Sequence, residues 1–325
     1  MTIEHKTIQA NGINLNVAVA GEGPLVLLCH GFPELWLSWR AQIIALSEAG
    51  YRVAAPDMRG YGDTDAPEEI EKYSVFHLVG DMVGIVHALG EEKAAVVGHD
   101  WGSYVAWKSA LFRPDIFHAV AGLSVPFVRR APQQPISMMR KTAERHEAEF
   151  YQVWFQEPGV AEKAFESDVR AMQTGMFYTC SGDAPDDKLW EPAWPKGTDQ
   201  SAHFKENAIR PSWLSEEELE VYISAFEKKG YRGPLNWYRN IDRNWELTAA
   251  YEDAKIQVPA LFMIGDKDLT MNFAKPAIEH HDKVVPTLTK SVVVPGVGHW
   301  IQQEAPDIVN KELLEFLGKL NIESS

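Results

Sequence analysis

The chain has 325 residues, of which 45% are hydrophobic and 24% are charged, as is usual for an ordered globular protein. Its net charge of −15 argues against nucleic acid or an anionic membrane surface as a partner, because both attract basic surfaces. Two cysteines, Cys29 and Cys180, are too few for a disulfide scaffold, and neither has the spacing of a metal site.

The first nine residues are polar and charged and lack the apolar core of a signal peptide. No window approaches the ~20 apolar residues of a membrane span. We therefore expect a soluble, cytoplasmic protein.

Strand-like and helix-like segments alternate through the first half of the chain. Polar–apolar alternation around Asn11 and Gly12 predicts a β-hairpin from residues 6–9 and 13–19. Four apolar, strand-like runs follow, at residues 25–29, 52–55, 94–97 and 119–125. Helix-like stretches lie between them, at residues 38–49, 75–89 and 103–112. This pattern indicates a parallel sheet covered on both faces.

The pattern changes after about residue 126, where strand-like runs stop. Charged, helix-forming segments take their place, with many aromatic residues, at residues 141–149 and 215–229. Strand-like runs return near the C-terminus, at residues 260–264 and 291–294, and a last helix-like stretch follows at residues 307–317. We expect a helical insertion at residues 129–245 in an α/β core of residues 1–128 and 246–325.

The turn between the run at 94–97 and the next helix has the sequence GHDWG, residues 98–102. Glycines at both ends allow the tight backbone of a nucleophile elbow, which presents its central side chain above the sheet. That side chain is Asp100, whose carboxylate would form an alkyl ester by attacking an sp³ carbon. Alternatively, Asp100 simply caps the helix that follows.

Other polar residues follow the ends of strands and should gather near Asp100, because ligands bind beyond the carboxyl ends of parallel strands. His299 lies in a glycine-bearing loop and suits a catalytic base, the alternative being a packed core histidine. Asp268 is the preferred acid to orient it, with Asp266 second, although both also suit a turn. Ser124 follows an earlier strand, at another position for such an acid, but it is not acidic and so does not suit that role.

The segment after the first parallel strand, residues 30–33, has the sequence HGFP. Glycine and proline shape its turn so that the Phe32 amide faces the site. With the amide of Trp101 it would form a two-donor oxyanion hole. A plain strand-to-helix turn explains the same residues.

These motifs resemble those of the α/β-hydrolase-fold epoxide hydrolases of the soluble type. The matching segments span essentially the whole chain: residues 30–34 (HGFPE), 57–62 (DMRGYG), 98–102 (GHDWG), 265–268 (GDKD) and 296–300 (GVGHW). Within the insertion, residues 150–159 and 236–240 look like the family's two cap tyrosine segments. The resemblance implies an α/β-hydrolase fold, with a mostly parallel sheet flanked by helices and an inserted helical cap.

The resemblance also implies a reaction: an epoxide becomes a vicinal diol through an ester on Asp100, which water activated by His299 then hydrolyses. Tyr151 and Tyr238 would donate to the epoxide oxygen, since phenols stay protonated at neutral pH. Without the resemblance, either tyrosine is more simply part of an aromatic core. No cofactor or metal is implied.

The expected partners are water and a small apolar epoxide. Trp36 and Trp154, with other aromatic residues, suggest an apolar substrate pocket. The oligomeric state is left open, with a homodimer as one candidate.

Three other functions share parts of this pattern. A haloalkane or haloacid dehalogenase would use the same aspartate, and Trp101 also occurs in haloalkane dehalogenases as a halide donor. However, Phe32 stands near where those enzymes carry a halide donor, and residues 101–104 contain no arginine of the haloacid type. A ligand-binding or signalling protein on this scaffold would not need Asp100, His299 and Asp268 together. A serine esterase would need Ser at position 100.

Overall fold

Ten strands form two sheets in the structure, a computed structural model that describes residues 2–145 and 147–320, and at 272 and 273 the backbone alone. The strands are β1 (Glu4–Ala10), β2 (Ile13–Ala20), β3 (Leu25–Cys29), β4 (Arg52–Pro56), β5 (Ala94–His99), β6 (Phe117–Leu123), β7 (Ala148–Phe150), β8 (Ala193–Pro195), β9 (Ala260–Gly265) and β10 (Leu288–Val294).

The larger sheet has eight strands in the order β1-β2-β4-β3-β5-β6-β9-β10. The hairpin of β1 and β2 and the β2–β4 pair are antiparallel, and the remaining pairs are parallel. The expected turn at Asn11 and Gly12 is present, with positive φ at both residues as in a type I′ turn. The mostly parallel sheet predicted from the apolar runs is therefore confirmed.

Helices cover both faces of this sheet. The α-helices before the insertion are α1 (Arg40–Glu48), α2 (Val75–Ala88) and α3 (Trp101–Phe112). Neighbouring strand residues enter opposite cores: Leu27 packs in the cluster that contains Met82 of α2, and Leu28 in the cluster that contains Ile43 of α1. Burial on both faces explains why these strands are apolar throughout.

The chain between β6 and β9 contributes no strand to the larger sheet in its described residues. Its α-helices are α4 (Pro135–Glu144), α5 (Tyr151–Trp154), α6 (Val160–Glu166), α7 (Val169–Thr179), α8 (Ala202–Glu206), α9 (Glu216–Lys229), α10 (Arg232–Arg239) and α11 (Ile241–Leu247). We call this segment the cap. Its side chains dock on the core: the indole of Trp237 donates to the Arg59 carbonyl (3.0 Å), and the Asn240 amide donates to the Ile70 carbonyl (2.6 Å).

The core resumes after the cap and completes the fold. Its last α-helices are α12 (Met271–Glu279), α13 (His281–Val284), α14 (Ile301–Glu304) and α15 (Pro306–Leu317). Short 3₁₀ turns occur at Trp36–Trp39, Ile70–Tyr73, Asp186–Lys188 and Ala249–Tyr251. No helix in the described residues is long and apolar enough to cross a membrane.

The structure corrects three local expectations. The helix expected at 141–149 is wrong: α4 ends at Glu144, Glu147 has φ +53, and Ala148–Phe150 pairs with β8 as strand β7. The charges there reflect solvent exposure, whereas the backbone hydrogen bonds are satisfied by the partner strand. The helix expected from 38 starts at Arg40, after a 3₁₀ turn. The strand expected at 119–125 is Phe117–Leu123.

Candidate active site

Asp100 lies at the junction of β5 and α3 with φ +53° and ψ −120°, a strained backbone for a residue with a side chain. The glycines on either side make this turn feasible. A Cβ atom on Gly98 would lie 2.0 Å from the Gly102 carbonyl oxygen, and one on Gly102 would lie 2.0 Å from the Cys29 carbonyl oxygen. The Asp100 side chain makes no capping hydrogen bond to α3, so the interpretation of Asp100 as a helix cap is wrong.

One carboxylate oxygen of Asp100 is held by the loop after β3. The Phe32 amide donates to Asp100 Oδ1 at 2.8 Å, as expected of an oxyanion donor. Only glycine fits beside it, because a Cβ on Gly31 would lie 2.4 Å from Asp100 Cβ. Trp101 is the first residue of α3, where the helix itself supplies no acceptor for the amide N–H. Trp101 therefore stays the predicted second donor.

His299 lies between two carboxylates. Its Nδ1 is 2.9 Å from Asp268 Oδ1, and its Nε2 is 3.6 Å from Asp100 Oδ2. The Thr270 amide donates to the same Asp268 oxygen (2.8 Å) and fixes the carboxylate. Asp266 instead accepts from the Gly296 amide at 2.7 Å in an exposed turn. Of the two candidates, Asp268 is the one that contacts His299.

The two carboxylates control the charge of His299. Burial lowers the pKa of this imidazole, but the charge of Asp268 and the hydrogen bonds to Asp100 and Asp268 outweigh burial and raise it well above its usual value. Burial raises the pKa of Asp268, but the nearby His299 outweighs burial and lowers it. His299 is therefore favoured as a cation while Asp100 is ionised.

His99 and Glu34 form a buried pair next to His299 that the sequence did not predict. His99 Nδ1 lies 2.7 Å from Glu34 Oε2, and His99 Nε2 lies 2.7 Å from the carbonyl oxygen of His299. Burial raises the pKa of Glu34, but His99 and the Gly31 amide outweigh burial and lower it to about 2. Glu34 and His99 lie in the motifs HGFPE and GHDWG. Their place in these motifs was the only feature of the sequence that could have indicated a role at the site.

The loop that carries His299 is tied to the cap. The His299 amide donates to the Cys180 carbonyl at 2.8 Å. Glu304 accepts from three backbone amides, those of Gly182 (2.8 Å), Gly298 (2.9 Å) and Trp300 (2.9 Å). One carboxylate thus joins the cap chain after α7 to both neighbours of His299. We call this contact the Glu304 clasp.

Tyr151 and Tyr238 meet across from Asp100, with ring centroids 6.0 Å apart. The ring of Tyr238 packs against Trp101 (5.1 Å) and Phe155 (4.9 Å). The Tyr151 hydroxyl accepts from the side-chain nitrogen of Gln152, Nε2, at 2.9 Å. Burial, with the charge of Asp100, raises the pKa of both phenols, so both stay protonated and can donate at neutral pH.

A narrow cavity connects these groups; the space open to the centre of a water molecule is about 40 Å³. Its walls are mainly apolar. They consist of Phe32, Asp100, Tyr151, Trp154, Phe155, Phe165, Met176, Cys180, Trp190, Gln200, Phe204, Tyr238, Leu269, Thr270, His299 and Trp300. No group of three His, Cys, Asp or Glu residues in the described chain is arranged to hold a metal ion.

Trp154 lines this cavity, but Trp36 does not, so the expectation for Trp36 is wrong. Its ring packs against His5 at 4.7 Å, and its amide donates to Asp57 at 3.2 Å. It joins the core cluster on the sheet face that contains Ile43. Its aromatic side chain suggested the pocket, whereas in the structure it begins a 3₁₀ turn and its ring packs against that cluster.

Comparison with known proteins gives consistent results. Residues 24–306 match the alpha/beta hydrolase fold family. The chain is 44% identical to epoxide hydrolase 3 of Siraitia grosvenorii, over 98% of this chain and 99% of that protein. It is 41% identical to epoxide hydrolase A of Mycobacterium tuberculosis, over 98% of each. The crystal structure of epoxide hydrolase A from Mycobacterium thermoresistibile is 42% identical, with a TM-score of 0.93 over 99% of this chain and 100% of that one.

Proposed function

Since this chain belongs to the epoxide hydrolases of the alpha/beta hydrolase fold family, we propose that it converts epoxides to vicinal diols through an ester on Asp100. One observation carries the proposal. Asp100 and the protonated phenols of Tyr151 and Tyr238 line the same cavity, with the nucleophile on the core and the phenols on the cap. A small, apolar epoxide suits the aromatic walls, which include Trp154.

In the first step, Asp100 Oδ2 attacks a ring carbon while Oδ1 stays on the Phe32 amide. A carbon–oxygen bond to Asp100 forms, and the epoxide carbon–oxygen bond breaks. The released oxygen takes a proton from one tyrosine and a hydrogen bond from the other. The products are a hydroxyalkyl ester and a phenolate.

In the second step, neutral His299 removes a proton from water, and the resulting hydroxide adds to the ester carbonyl carbon. The amides of Phe32 and Trp101 stabilise the oxyanion on Oδ1. Collapse breaks the Cγ–Oδ2 bond and releases the diol, whose oxygen takes the proton of the new carboxyl group. Before this step the imidazolium of His299 has given its proton to the phenolate, so the proton taken from water restores the imidazolium of the free protein.

Ester formation itself prepares the base. Asp100 lies 3.6 Å from His299, and its negative charge helps to raise the histidine pKa. Once Asp100 is an ester, that charge is gone and the pKa of His299 falls. The imidazolium therefore gives its proton to the phenolate more readily in the intermediate, where a neutral base is required.

The same aspartate could displace a halide, as in the dehalogenase alternative. The two reactions differ in whether the leaving group needs a proton. An epoxide oxygen needs a proton as it departs, whereas a halide leaves without one. Two protonated phenols opposite Asp100 therefore favour the epoxide. Halide release from haloalkanes without diol formation from epoxides would support the dehalogenase instead.

The test is a single turnover in ¹⁸O-labelled water with enzyme in excess over an epoxide. We expect an unlabelled first diol and ¹⁸O in the peptide that contains Asp100. Label in the first diol would show direct attack by water and overturn the ester mechanism. In His299→Gln, the Asp100 peptide should gain the mass of the epoxide and keep it.

A further inference from the structure

Two buried polar atoms in residues that line the catalytic cavity have no hydrogen-bond partner among the described residues. They are the Gln200 side-chain oxygen, Oε1, and the Trp190 indole nitrogen, Nε1. Gln200 is 1% exposed and Trp190 is 8% exposed. An unpaired buried donor or acceptor is unfavourable, so such atoms call for an explanation.

Both residues lie on the Tyr151 side of the cavity. The rings of Trp190 and Tyr151 are in edge contact, with centroids 5.0 Å apart. The Gln200 side-chain nitrogen donates to the Glu149 carbonyl at 3.2 Å, two residues before Tyr151. The Tyr151 amide donates to the Pro192 carbonyl at 2.9 Å, two residues after Trp190. One small region of the cap therefore holds a catalytic phenol and the two unpaired atoms.

The surrounding contacts fix which group each residue has left to offer. Gln200 uses its nitrogen on Glu149, which leaves the oxygen as an acceptor. The indole of Trp190 stacks on Phe204 at 5.5 Å, and the Trp190 amide donates to the Thr179 carbonyl at 3.0 Å. The indole N–H remains as a donor. An acceptor and a donor on two residues that line this part of the cavity suit a hydroxyl group, which can donate and accept at once.

We propose that Gln200 and Trp190 form a subsite that selects epoxides with a hydroxyl group on the arm beside Tyr151. This inference rests on the proposed function, because Tyr151 holds the epoxide oxygen and so places that arm. The hydroxyl donates to Gln200 Oε1 and accepts from Trp190 Nε1. An alkyl arm of the same length leaves both protein atoms unpaired. A site built to bind a hydroxyl discriminates against its absence more strongly than an apolar wall discriminates against its presence.

The wild-type test uses a series of straight-chain terminal epoxides with and without a hydroxyl at the far end, lengthened one methylene at a time. At the best chain length, kcat/KM should be roughly tenfold higher for the hydroxylated member, as two hydrogen bonds allow. A ratio of one or less at every length would overturn the subsite. If no member of either series gives a diol, the proposed function itself fails.

Trp190→Phe tests the donor because it removes the indole N–H and keeps an aromatic ring. The matched control is Trp194→Phe, since the Trp194 indole donates to the Glu191 carbonyl at 2.6 Å and Trp194 does not line the cavity. We expect Trp190→Phe to lower the preference for the hydroxylated substrate several-fold, and Trp194→Phe to keep it. Equal preferences in wild type and Trp190→Phe would remove Trp190 from the subsite.

Gln200→Met tests the acceptor with a side chain of similar length. The preference should fall again, with the change in kcat/KM concentrated on the hydroxylated substrate. A loss of stability alone would lower kcat/KM for both substrates in proportion. The preference would then stay unchanged, and that result would contradict the proposal. If the variant does not fold, the wild-type series and Trp190→Phe still decide the question.

Discussion

The core and the cap build the two halves of this site by different physical means. On the core side, Asp100 lies in a strained turn and accepts a hydrogen bond from the Phe32 amide, and the Asp268 carboxylate accepts a hydrogen bond from His299. On the cap side, Tyr238 is positioned by ring packing. The hydrogen bonds of the core half tolerate little displacement of their atoms. The aromatic rings of the cap half can be rearranged while those hydrogen bonds stay intact. In the proposed mechanism, the core therefore sets how the bond is made, and the cap sets what is attacked.

The strongest test of this division is Asp100→Asn. We expect diol formation to fall by roughly 10⁴-fold or more, because the nucleophile is lost while the cap is unchanged. Turnover measures the loss, and substrate binding measured separately should persist. Activity within tenfold of wild type would mean that water attacks directly and that the core half has been misassigned.

Asp268→Asn should lower the rate of ester hydrolysis by roughly 10³-fold, since an amide cannot stabilise the imidazolium of His299 in the same way. The measurement is decay of the ester after a single turnover. Asp266→Asn makes the same chemical change two residues away, in an exposed turn that does not contact His299, and should keep that decay near wild type. Similar losses in both variants would contradict the role of Asp268.

Substitutions in the cap half should have smaller effects on rate, because the role is shared by two tyrosines. Tyr238→Phe and Tyr151→Phe should each slow ester formation by roughly tenfold, and together by roughly 10²-fold or more, because either phenol partly replaces the other. Ester decay should change less than ester formation. Tyr231→Phe is the control: its hydroxyl is buried on Gln173 (2.9 Å) and outside the cavity, so it should affect stability and spare ester formation.

The pH dependence should give the smallest effect and sharpen the link between the halves. Protonated His299 cannot accept a proton, so ester decay should rise with pH through the pKa of His299 in the intermediate and then level. That pKa should lie below the one found for His299 in the free protein by NMR titration, because esterified Asp100 no longer raises it. An equal or higher value in the intermediate would contradict the proposed preparation of the base.

Sequence reasoning succeeded where a short motif dictates the backbone. The elbow glycines, the Phe32 amide and the Asp268–His299 contact all follow from turns at the ends of parallel strands. It failed where side-chain direction depends on distant partners. Trp36 turns to the opposite sheet face, and the expected helix near residue 148 is a strand because β8 lies beside it. Gln200 gave no signal at all, since an unpaired oxygen is visible only once every neighbour is in place.

The Glu304 clasp has a consequence for how such enzymes diversify. A single core carboxylate grips the amide of Gly182 in the cap and those of Gly298 and Trp300 around His299. A recombination crossover that replaces the cap without preserving these hydrogen bonds would leave the loop of His299, the proposed base, unsupported even with the core sequence intact. Functional chimaeras should therefore inherit the cap backbone near Gly182 and an acidic residue at position 304 as one unit. Together with the contacts of Trp237 and Asn240 on the core, the Glu304 clasp constrains the cap where it meets the loop of His299.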